Sequence, residues 1–292
     1  MPEVFVDDAL SGFSGVSVMI FTLNEAIHLP SCLDALAWCD DVIIVDSFST
    51  DETEGICRER GIRFVQRTFD GFGMQRNWAL EGAGCKHEWV LILDADERVP
   101  SSLAGELRAI AMKNPSHVGA YRIRRRFHMW GRWLRYSSLY PSWVVRFVHK
   151  ERVRYVNRGH AETQVVDGEI LDIEHDLIDE NLKGIDEWFA RQNRYSQKEA
   201  EFELSEENES VGLIGLTSRD PLRRRAALKT VSRSIPFRGA AYFLYAYVLR
   251  RGFLDGRDGL MFCRMRALYQ AEVEIKKYDS RRSNRLNKLT TS

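Results

Sequence analysis

The clearest chemical signal in the sequence is a pair of carboxylates one residue apart, in Asp94-Ala95-Asp96. The pair directly follows Trp89 to Leu93, a short apolar run of the kind that forms a buried strand. A hard divalent cation such as Mg²⁺ or Mn²⁺ binds a few carboxylates together with phosphate oxygens, and it neutralises a diphosphate group. The pair is therefore a candidate site for a metal and a diphosphate. A turn or a helix cap is the ordinary alternative for an isolated DxD sequence.

A second carboxylate, Asp46, ends another apolar run, and both runs belong to a repeating pattern of strands and helices. Strands are predicted at 16–21, 41–46, 62–65, 89–93, 121–127 and 144–156. One helix is predicted to begin at Asn24, and the next begins with a capping box of Ser49 and Glu52. Further helices are predicted at 71–80, 100–113 and 185–203. Alternation of this kind predicts an α/β fold with a mostly parallel central sheet flanked by helices. Ligands of such sheets bind beyond the carboxyl ends of the strands, where Asp46 and Asp94 stand.

Four segments resemble, in order, the motifs of the family 2 glycosyltransferases, which have the Rossmann-like GT-A fold. These segments are Phe21 to Glu25, Val45 to Thr53, Phe72 to Ala79 and Val90 to Glu97. Weaker likeness, in Trp89 to Val99, Gly159 to Glu162 and Arg251 to Gly256, is to the subgroup of lipopolysaccharide core β-1,4-glucosyltransferases. Phe48 stands where the family usually has Gly, which puts the local backbone of that turn in question. Asp51 is interpreted as a helix-start residue.

The resemblance implies a nucleotide-sugar pocket near the first two strands. Thr22 and Glu25 would line the nucleoside, with Glu25 accepting hydrogen bonds from ribose hydroxyls. Asp46 would bond the base, although a turn cap is its alternative role, and Arg76 would face the base or the diphosphate. Asn24 is a further candidate for nucleotide-sugar binding, and its role stays open.

The resemblance also implies a metal site and a general base. Asp96 would ligate Mg²⁺ or Mn²⁺, and Asp94 would contact the ribose or support the metal. Inverting transfer needs a base near the acceptor hydroxyl. Glu162 is the first choice, and His160 is the alternative base or the residue that orients Glu162. His175 is either a further metal ligand or a surface histidine.

Basic and aromatic residues are concentrated in two later segments, although the formal net charge of the 292 residues is zero. Residues 122–158 contain eleven Arg or Lys and one acid, interleaved with aromatic residues. Nucleic acid would suit this surface, as would a phosphorylated glycolipid with sugar rings, and the four motifs favour the glycolipid. The segment 221–266 is also basic and aromatic, which favours docking on an anionic membrane surface. Packing on the catalytic domain or on a second subunit is the alternative.

These observations divide the chain into an N-terminal tail at 1–15, a GT-A catalytic domain at 16–200 (nucleotide-sugar half 16–117, acceptor half 118–200), an acidic linker or mobile loop at 201–220, a basic amphipathic helical region at 221–279 and a disordered tail at 280–292. Five cysteines without a CxxC pair suit reduced thiols in the cytosol. We expect no signal peptide and no membrane-spanning helix.

Taken together, the residues and the resemblance predict an inverting, metal-dependent glycosyltransferase that is peripheral on the cytoplasmic face of a bacterial inner membrane. The expected donor is UDP-glucose, and the expected acceptor is a lipid-linked or lipopolysaccharide-core saccharide. A glycosyltransferase acting on an exopolysaccharide lipid carrier is one alternative. A non-catalytic protein that binds nucleotide sugars or glycolipids is the main alternative. A nucleotidyltransferase is a third, but its Gly-rich N-terminal phosphate loop is missing here. No nucleic-acid partner is expected, and the oligomeric state stays open.

Overall fold

A computed structural model describes residues 15–158, 161–206 and 237–290 of the chain. Its described residues form two compact units, one of residues 15–133 and 140–182 and the other of residues 134–139 and 183–290. Within these ranges no helix combines the length and the apolar character that crossing a bilayer requires.

The first unit is built on a nine-stranded sheet. Its strands are β1 (Val16–Thr22), β2 (Val42–Asp46), β3 (Arg63–Gln66), β4 (Trp89–Asp94), β5 (Glu97–Arg98), β6 (Val118–Met129), β7 (Arg132–Trp133), β8 (Ser142–His149) and β11 (Glu169–Glu180). The order is β3-β2-β1-β4-β8-β6-β11-β5, with β7 paired to β6. Strands β1 to β4 run parallel to their neighbours among themselves, and β8 is antiparallel to both β4 and β6. A separate hairpin pairs β9 (Val153–Arg158) with β10 (Ala161–Val166).

Both faces of the parallel strands are covered, which explains why they read as continuous apolar runs. On one face Val18 and Ile20 belong to a core that includes Leu103 and Leu107, and on the other Met19 packs in a second core with Ala79. The helices of this unit are α1 (Leu29–Asp34), α2 (Thr53–Glu59), α3 (Phe72–Gly82) and α4 (Ser101–Lys113). The predicted α/β class with a mostly parallel sheet is confirmed.

Two local predictions about helix starts are wrong. The first helix begins at Leu29, because Asn24 has a left-handed backbone with φ of 57°. The second helix has no capping box of Ser49 and Glu52. The Ser49 hydroxyl instead donates to Asp46, and the backbone N–H of Thr53 donates to Asp51 Oδ1 at 3.1 Å. Asp51 therefore bonds the first residue of α2 from just before the helix, which agrees with its expected place at the helix start.

The predicted strand region 144–156 is divided between two sheets. Strand β8 ends at His149, and a turn closes where Arg152 N–H donates to the His149 carbonyl at 3.0 Å. The chain then leaves the main sheet as β9, whose partner is β10 rather than β4 or β6. This departure creates the hairpin that carries Glu162.

The second unit is helical. It contains α5 (Gly184–Glu206), α6 (Arg238–Phe243), a π-helical turn (Leu244–Leu249), a 3₁₀ turn (Gly252–Asp255) and α7 (Gly256–Thr290). Helix α5 belongs to this unit, whereas we expected the catalytic domain to continue to residue 200. Of the predicted linker, 207–220 lies outside the described residues, as does 221–236 of the basic region.

The tail at 280–292, which we expected to be disordered, continues as helix α7 to Thr290. The physical reason is visible in the sequence, because no Gly or Pro follows Gly259. These two residues are the ones that most strongly interrupt a helix.

Candidate active site

The carboxyl ends of three neighbouring strands bring the main candidate residues to one edge of the sheet. Thr22 pairs in register with Asp46, and Phe21 pairs with Asp94. Residues in register on adjacent strands lie about 5 Å apart. Residues separated by more than twenty positions in the sequence therefore meet where α/β sheets bind ligands.

Asp46 is fully buried and accepts several hydrogen bonds from its own chain. The Thr22 hydroxyl donates to its Oδ1 at 2.8 Å, and the Ser49 N–H donates to its Oδ2 at 2.8 Å. The Ser49 hydroxyl and the amide of Gln66 also donate to it. These bonds satisfy a buried charge that would otherwise be costly. A nucleoside base that bonds Asp46 would have to replace one of these donors.

The β1–α1 loop places Asn24 and Glu25 in different surroundings. Asn24 Oδ1 accepts from the Thr50 N–H at 2.8 Å, so this side chain ties together the loops after β1 and β2. Glu25 Oε2 lies 2.6 Å from His28 Nδ1, and the Leu182 N–H donates to His28 Nε2 at 2.7 Å. Because Nε2 accepts, we infer that Nδ1 carries the proton and donates to Glu25.

The turn that follows β2 holds a large residue in a conformation that favours glycine. Phe48 has φ of 62°, and 52% of its surface is exposed. A left-handed backbone costs a residue with a Cβ about 1–2 kcal/mol. The structure therefore confirms that the departure from Gly at this position bears on the backbone geometry.

Asp94 is held by two arginines from different elements. Arg146 of β8 donates to Asp94 Oδ2 and, at 2.8 Å, to Glu97 Oε1, and Arg76 of α3 lies 3.7 Å from Asp94 Oδ1. Burial opposes the ionisation of Asp94, but the two guanidinium groups outweigh it and hold the pKa of Asp94 below its usual range. Burial raises the pKa of Glu97 to about 7, with the nearby Asp94 adding to the effect against the opposing charge of Arg146.

The two arginines also repel each other. Burial and the nearby charge of Arg146 both lower the pKa of Arg76. Arg76 lies 5.6 Å from the rings of both Phe21 and Tyr155, and the Nε of Arg146 is buried without a hydrogen-bond partner among the described residues. Two crowded guanidinium groups at a sheet edge favour an anion such as a diphosphate.

Asp96 has one oxygen engaged and one available. Asn181 donates to its Oδ2 at 2.9 Å, and within the described part of the chain no donor reaches the other oxygen. No group of three or more His, Cys, Asp or Glu side chains in the described ranges could hold a metal alone. Asp94 and Asp96 nevertheless fit the way Mg²⁺ is bound beside phosphates, through one or two carboxylates with phosphate and water completing the shell.

His175 does not lie beside Asp94 and Asp96. It lies in an irregular part of β11, where its Nδ1 is 2.7 Å from Glu106 Oε2 and its backbone N–H donates to the same carboxylate. Asp179, which pairs with Glu97, is four residues further along the strand, about 13 Å away at the usual rise. This arrangement favours the surface alternative over a metal ligand.

The hairpin that carries Glu162 is attached to α3. Asn77 donates its amide to the Tyr155 carbonyl at 2.7 Å and accepts from the Tyr155 N–H at 2.8 Å. Within the hairpin Tyr155 pairs with Gln164, and Asn157 pairs with Glu162. The backbone of Glu162 is thus two residues along β10 from the anchored position, while His160 lies outside the described residues.

Two residues that sequence reasoning missed are important for this arrangement. Arg146 is a lone charge between Val145 and Phe147 in a strand that is buried at this end, and such a charge needs a partner. That context could have identified it. Asn77 follows Arg76 in a recognised motif, but nothing in the sequence indicates that Tyr155, far along the chain, is its partner.

The fold and the site define a class of protein, the GT-A glycosyltransferases, with a mostly parallel sheet and a carboxylate pair at the end of β4. Residues 17–169, more than half of the chain, match the model of the family "Glycosyl transferase family 2". The chain belongs to this family, and it is an enzyme of the glycosyltransferase class.

Similar proteins agree with this assignment. A lipopolysaccharide core biosynthesis glycosyltransferase, LpsC of Rhizobium meliloti, is 28% identical over 193 residues, which are 64% of this chain and 70% of LpsC. An uncharacterized glycosyltransferase of Rickettsia bellii is 34% identical over 111 residues, 37% of each chain. A mannosyltransferase of Pyrobaculum calidifontis, solved with GDP-Man and Mn²⁺, matches with a TM-score of 0.52 at 16% identity, over 90% of this chain and 87% of that one. This last likeness supports the fold alone.

Proposed function

We propose that this protein is an inverting, divalent-metal-dependent hexosyltransferase that transfers glucose from UDP-glucose to a lipid-linked or lipopolysaccharide-core saccharide. The observation that carries the proposal is the convergence of Asp94, Asp96, Arg76 and Arg146 at the sheet edge that also holds Asp46. Such a site combines carboxylates for a cation with guanidinium groups for a diphosphate.

Each candidate residue has its own role in a single displacement at the anomeric carbon. The acceptor hydroxyl attacks the anomeric carbon while Glu162 takes its proton. The bond from the anomeric carbon to the phosphate oxygen breaks, and the diphosphate leaves with the electron pair. Asp96 and Asp94 would hold Mg²⁺ or Mn²⁺, which when bound supplies neutralising charge to the leaving group. Arg76 and Arg146 add positive charge beside the same group.

A basic and aromatic surface on β6 and β8 supports a saccharide acceptor that carries anionic groups. The guanidinium groups of Arg122 and Arg124 lie 5.7 and 5.3 Å from the ring of Trp143, which is 36% exposed. An exposed aromatic face can pack against a sugar ring, and arginines bind phosphate. Because Arg122 donates to Asp172 and Arg124 to Asp176, each at 2.7 Å, a phosphate on the acceptor would share these arginines with the carboxylates. The similarity to LpsC supports a lipopolysaccharide-core acceptor, which would place the enzyme on the cytoplasmic face of the inner membrane.

Release of nucleoside diphosphate tests the function. The full chain is incubated with UDP-glucose, other UDP-sugars or GDP-mannose, with and without Mn²⁺, on core-saccharide and lipid-carrier acceptors. We expect metal-dependent release from UDP-glucose, reduced at least 100-fold in Asp96→Asn, and unchanged in the control Asp34→Asn, whose carboxylate is 69% exposed on α1. Direct Mn²⁺ binding in the presence of UDP should weaken in the same variant. Nucleotide binding without turnover on any acceptor would instead identify a non-catalytic binding protein.

Glu162 is tested separately from the metal ligands. Glu162→Gln should reduce turnover about 10²–10⁴-fold while UDP and Mn²⁺ bind as before, because a general base acts only in the chemical step. Unchanged turnover in Glu162→Gln would remove it as the base and would leave His160 as the candidate.

A further inference from the structure

Six large apolar side chains are exposed within eleven consecutive residues of the second unit. They belong to the π-helical turn and the 3₁₀ turn, and they are Leu244, Tyr245, Val248, Leu249, Phe253 and Leu254. We call this set the hairpin tip; it is unrelated to the hairpin of β9 and β10. Leu249 is the most exposed of them, at 74%. Single exposed apolar residues are ordinary, but a contiguous set of this size marks a surface that binds something.

The hairpin tip is held in place by close backbone packing. A Cβ on Gly252 would lie 2.8 Å from the Ala246 carbonyl oxygen and 3.0 Å from Cys263 Sγ, so only glycine fits there. A Cβ on Gly259 would lie 2.4 Å from the Gly252 carbonyl oxygen. The two turns and the start of α7 therefore pack with almost no space between their backbones.

A buried carboxylate anchors the same turn. Asp255 is 4% exposed, and its Oδ2 accepts from the N–H groups of Tyr136 and Ser137 at 2.9 and 2.7 Å and from the Ser137 hydroxyl at 2.7 Å. Breaking these bonds would leave the buried carboxylate of Asp255 without hydrogen-bond partners, which costs free energy. The tip is thus displayed on a well-packed support, and its apolar side chains point outwards while Ala246 and Cys263 are buried.

The charged residues beside the tip indicate which kind of partner it binds. Arg250, Arg251 and Arg257 are exposed within or next to it, while of the two nearby acids Asp255 is buried and hydrogen-bonded and Asp258 is half-buried. Apolar side chains flanked by arginines are the pattern of segments that lie in the interface of an anionic bilayer. A protein partner with an apolar patch would not need three cations.

We propose that the hairpin tip is a membrane-docking surface, with its leucines and aromatic rings among the acyl chains and its arginines on anionic headgroups. The proposal deepens the proposed function by naming how the enzyme reaches a lipid-linked acceptor, but the docking needs no sugar transfer. It can therefore be measured without donor or acceptor.

Vesicle binding tests the docking. The full chain is mixed with vesicles of pure phosphatidylcholine or of phosphatidylcholine with 30% phosphatidylglycerol, and bound protein is measured by flotation. We expect binding to the anionic vesicles alone. Each arginine near an anionic surface contributes roughly fivefold to the affinity, so Arg250→Gln with Arg257→Gln should weaken it roughly 25-fold. Leu249→Ser should weaken it roughly tenfold.

Matched controls come from the first unit. Met112→Ser removes a side chain that is 62% exposed on α4, and Arg58→Gln removes a charge that is 78% exposed on α2. Both should bind vesicles like the parent. Leu249→Ser should also release UDP from UDP-glucose in vesicle-free solution as the parent does, which separates docking from catalysis.

Three results would overturn the docking. One is equal binding to neutral and anionic vesicles, and a second is binding that the tip variants leave unchanged. The third is concentration-dependent self-association in sedimentation that Leu249→Ser abolishes, because the tip would then be an interface between copies of the chain. Loss of metal-dependent turnover alone would contradict the proposed function and not the docking.

Discussion

Replacing Asn77 by alanine tests how the structure holds the candidate base. Its amide is bonded at both ends to the backbone of Tyr155, at 2.7 and 2.8 Å. An exposed ion pair of Arg154 with Glu81, at 3.6 Å, also joins the hairpin of β9 and β10 to α3. The substitution leaves α3 intact, because alanine is the better helix former. It removes the two hydrogen bonds that attach the strand pair carrying Glu162 to this helix.

The magnitude follows from the two bonds. Each contributes about 1 kcal/mol net, and the partly buried N–H and carbonyl of Tyr155 lose their partners, so we expect the free energy of unfolding to fall by about 2–3 kcal/mol. Displacement of a catalytic group by about 1 Å reduces a rate up to about 100-fold. Turnover in Asn77→Ala should therefore fall about 10- to 100-fold, while the affinity for UDP changes little.

Three measurements check this prediction. Urea unfolding gives the stability, UDP release gives the turnover, and hydrogen exchange of residues 153–166 reports the hairpin itself, which should exchange faster. Asn77→Asp keeps an acceptor for the Tyr155 N–H but places a carboxylate oxygen against the Tyr155 carbonyl, so its effect should be at least as large as that of Asn77→Ala. Met74→Ala, at an exposed position of the same helix, is the control.

The reasoning is refuted if hydrogen exchange of the hairpin in Asn77→Ala matches that of the parent. A fall in stability with unchanged turnover would show that the attachment is structural and does not position the base. A fall in UDP affinity equal to the fall in turnover would instead place the effect in the nucleotide pocket.

Three further predictions concern stability. Phe48→Gly should be more stable than Phe48→Ala by about 1 kcal/mol in urea unfolding, because only glycine adopts φ of 62° without strain, and equal stabilities would mean that the turn relaxes. Glu97 has a pKa raised from 4.5 to about 7, so the folded state retains a proton that the unfolded chain has released. In metal-free buffer its contribution of roughly 3 kcal/mol is present below pH 4.5 and is lost as the pH rises through 7, and Glu97→Gln should remove that fall in a pH series of unfolding free energies. Glu203 is fully buried between Arg238 and Lys277 at 2.8 and 2.9 Å, so Glu203→Ala should destabilise the second unit by about 3–5 kcal/mol, and a loss below 1 kcal/mol would show that water replaces the carboxylate.

Much of the first unit could be predicted from the order of residues. Strands such as Val16–Thr22 and Trp89–Asp94 are short apolar runs that end on polar residues, and this pattern depends only on neighbours in the chain. The family assignment follows from four such local motifs and is confirmed. The length of helix α7 is greater than expected, because the polar residues after 280 indicate disorder although no Gly or Pro interrupts the final turns of the helix.

The side-chain partners could not be predicted in the same way. At the start of α2 the Thr53 N–H donates to Asp51, whereas the Ser49 hydroxyl donates to Asp46 on the neighbouring strand end. His175 is directed to Glu106 by an irregularity in β11 that sequence spacing does not encode. Both outcomes depend on groups that compete for a hydrogen bond in three dimensions.

The class of fold, the family and the carboxylates that end β2 and β4 can be derived from the amino-acid sequence, since strand periodicity and motif spacing are local properties. The three-dimensional contacts are needed to show that Arg146 and Arg76 hold Asp94, that Asn77 bonds the hairpin of Glu162, and that Leu249 and its neighbours are exposed. These contacts join residues up to 78 positions apart. They are fixed by sheet order and by the need to pair every buried charge, neither of which can be read from a residue's neighbours in the chain.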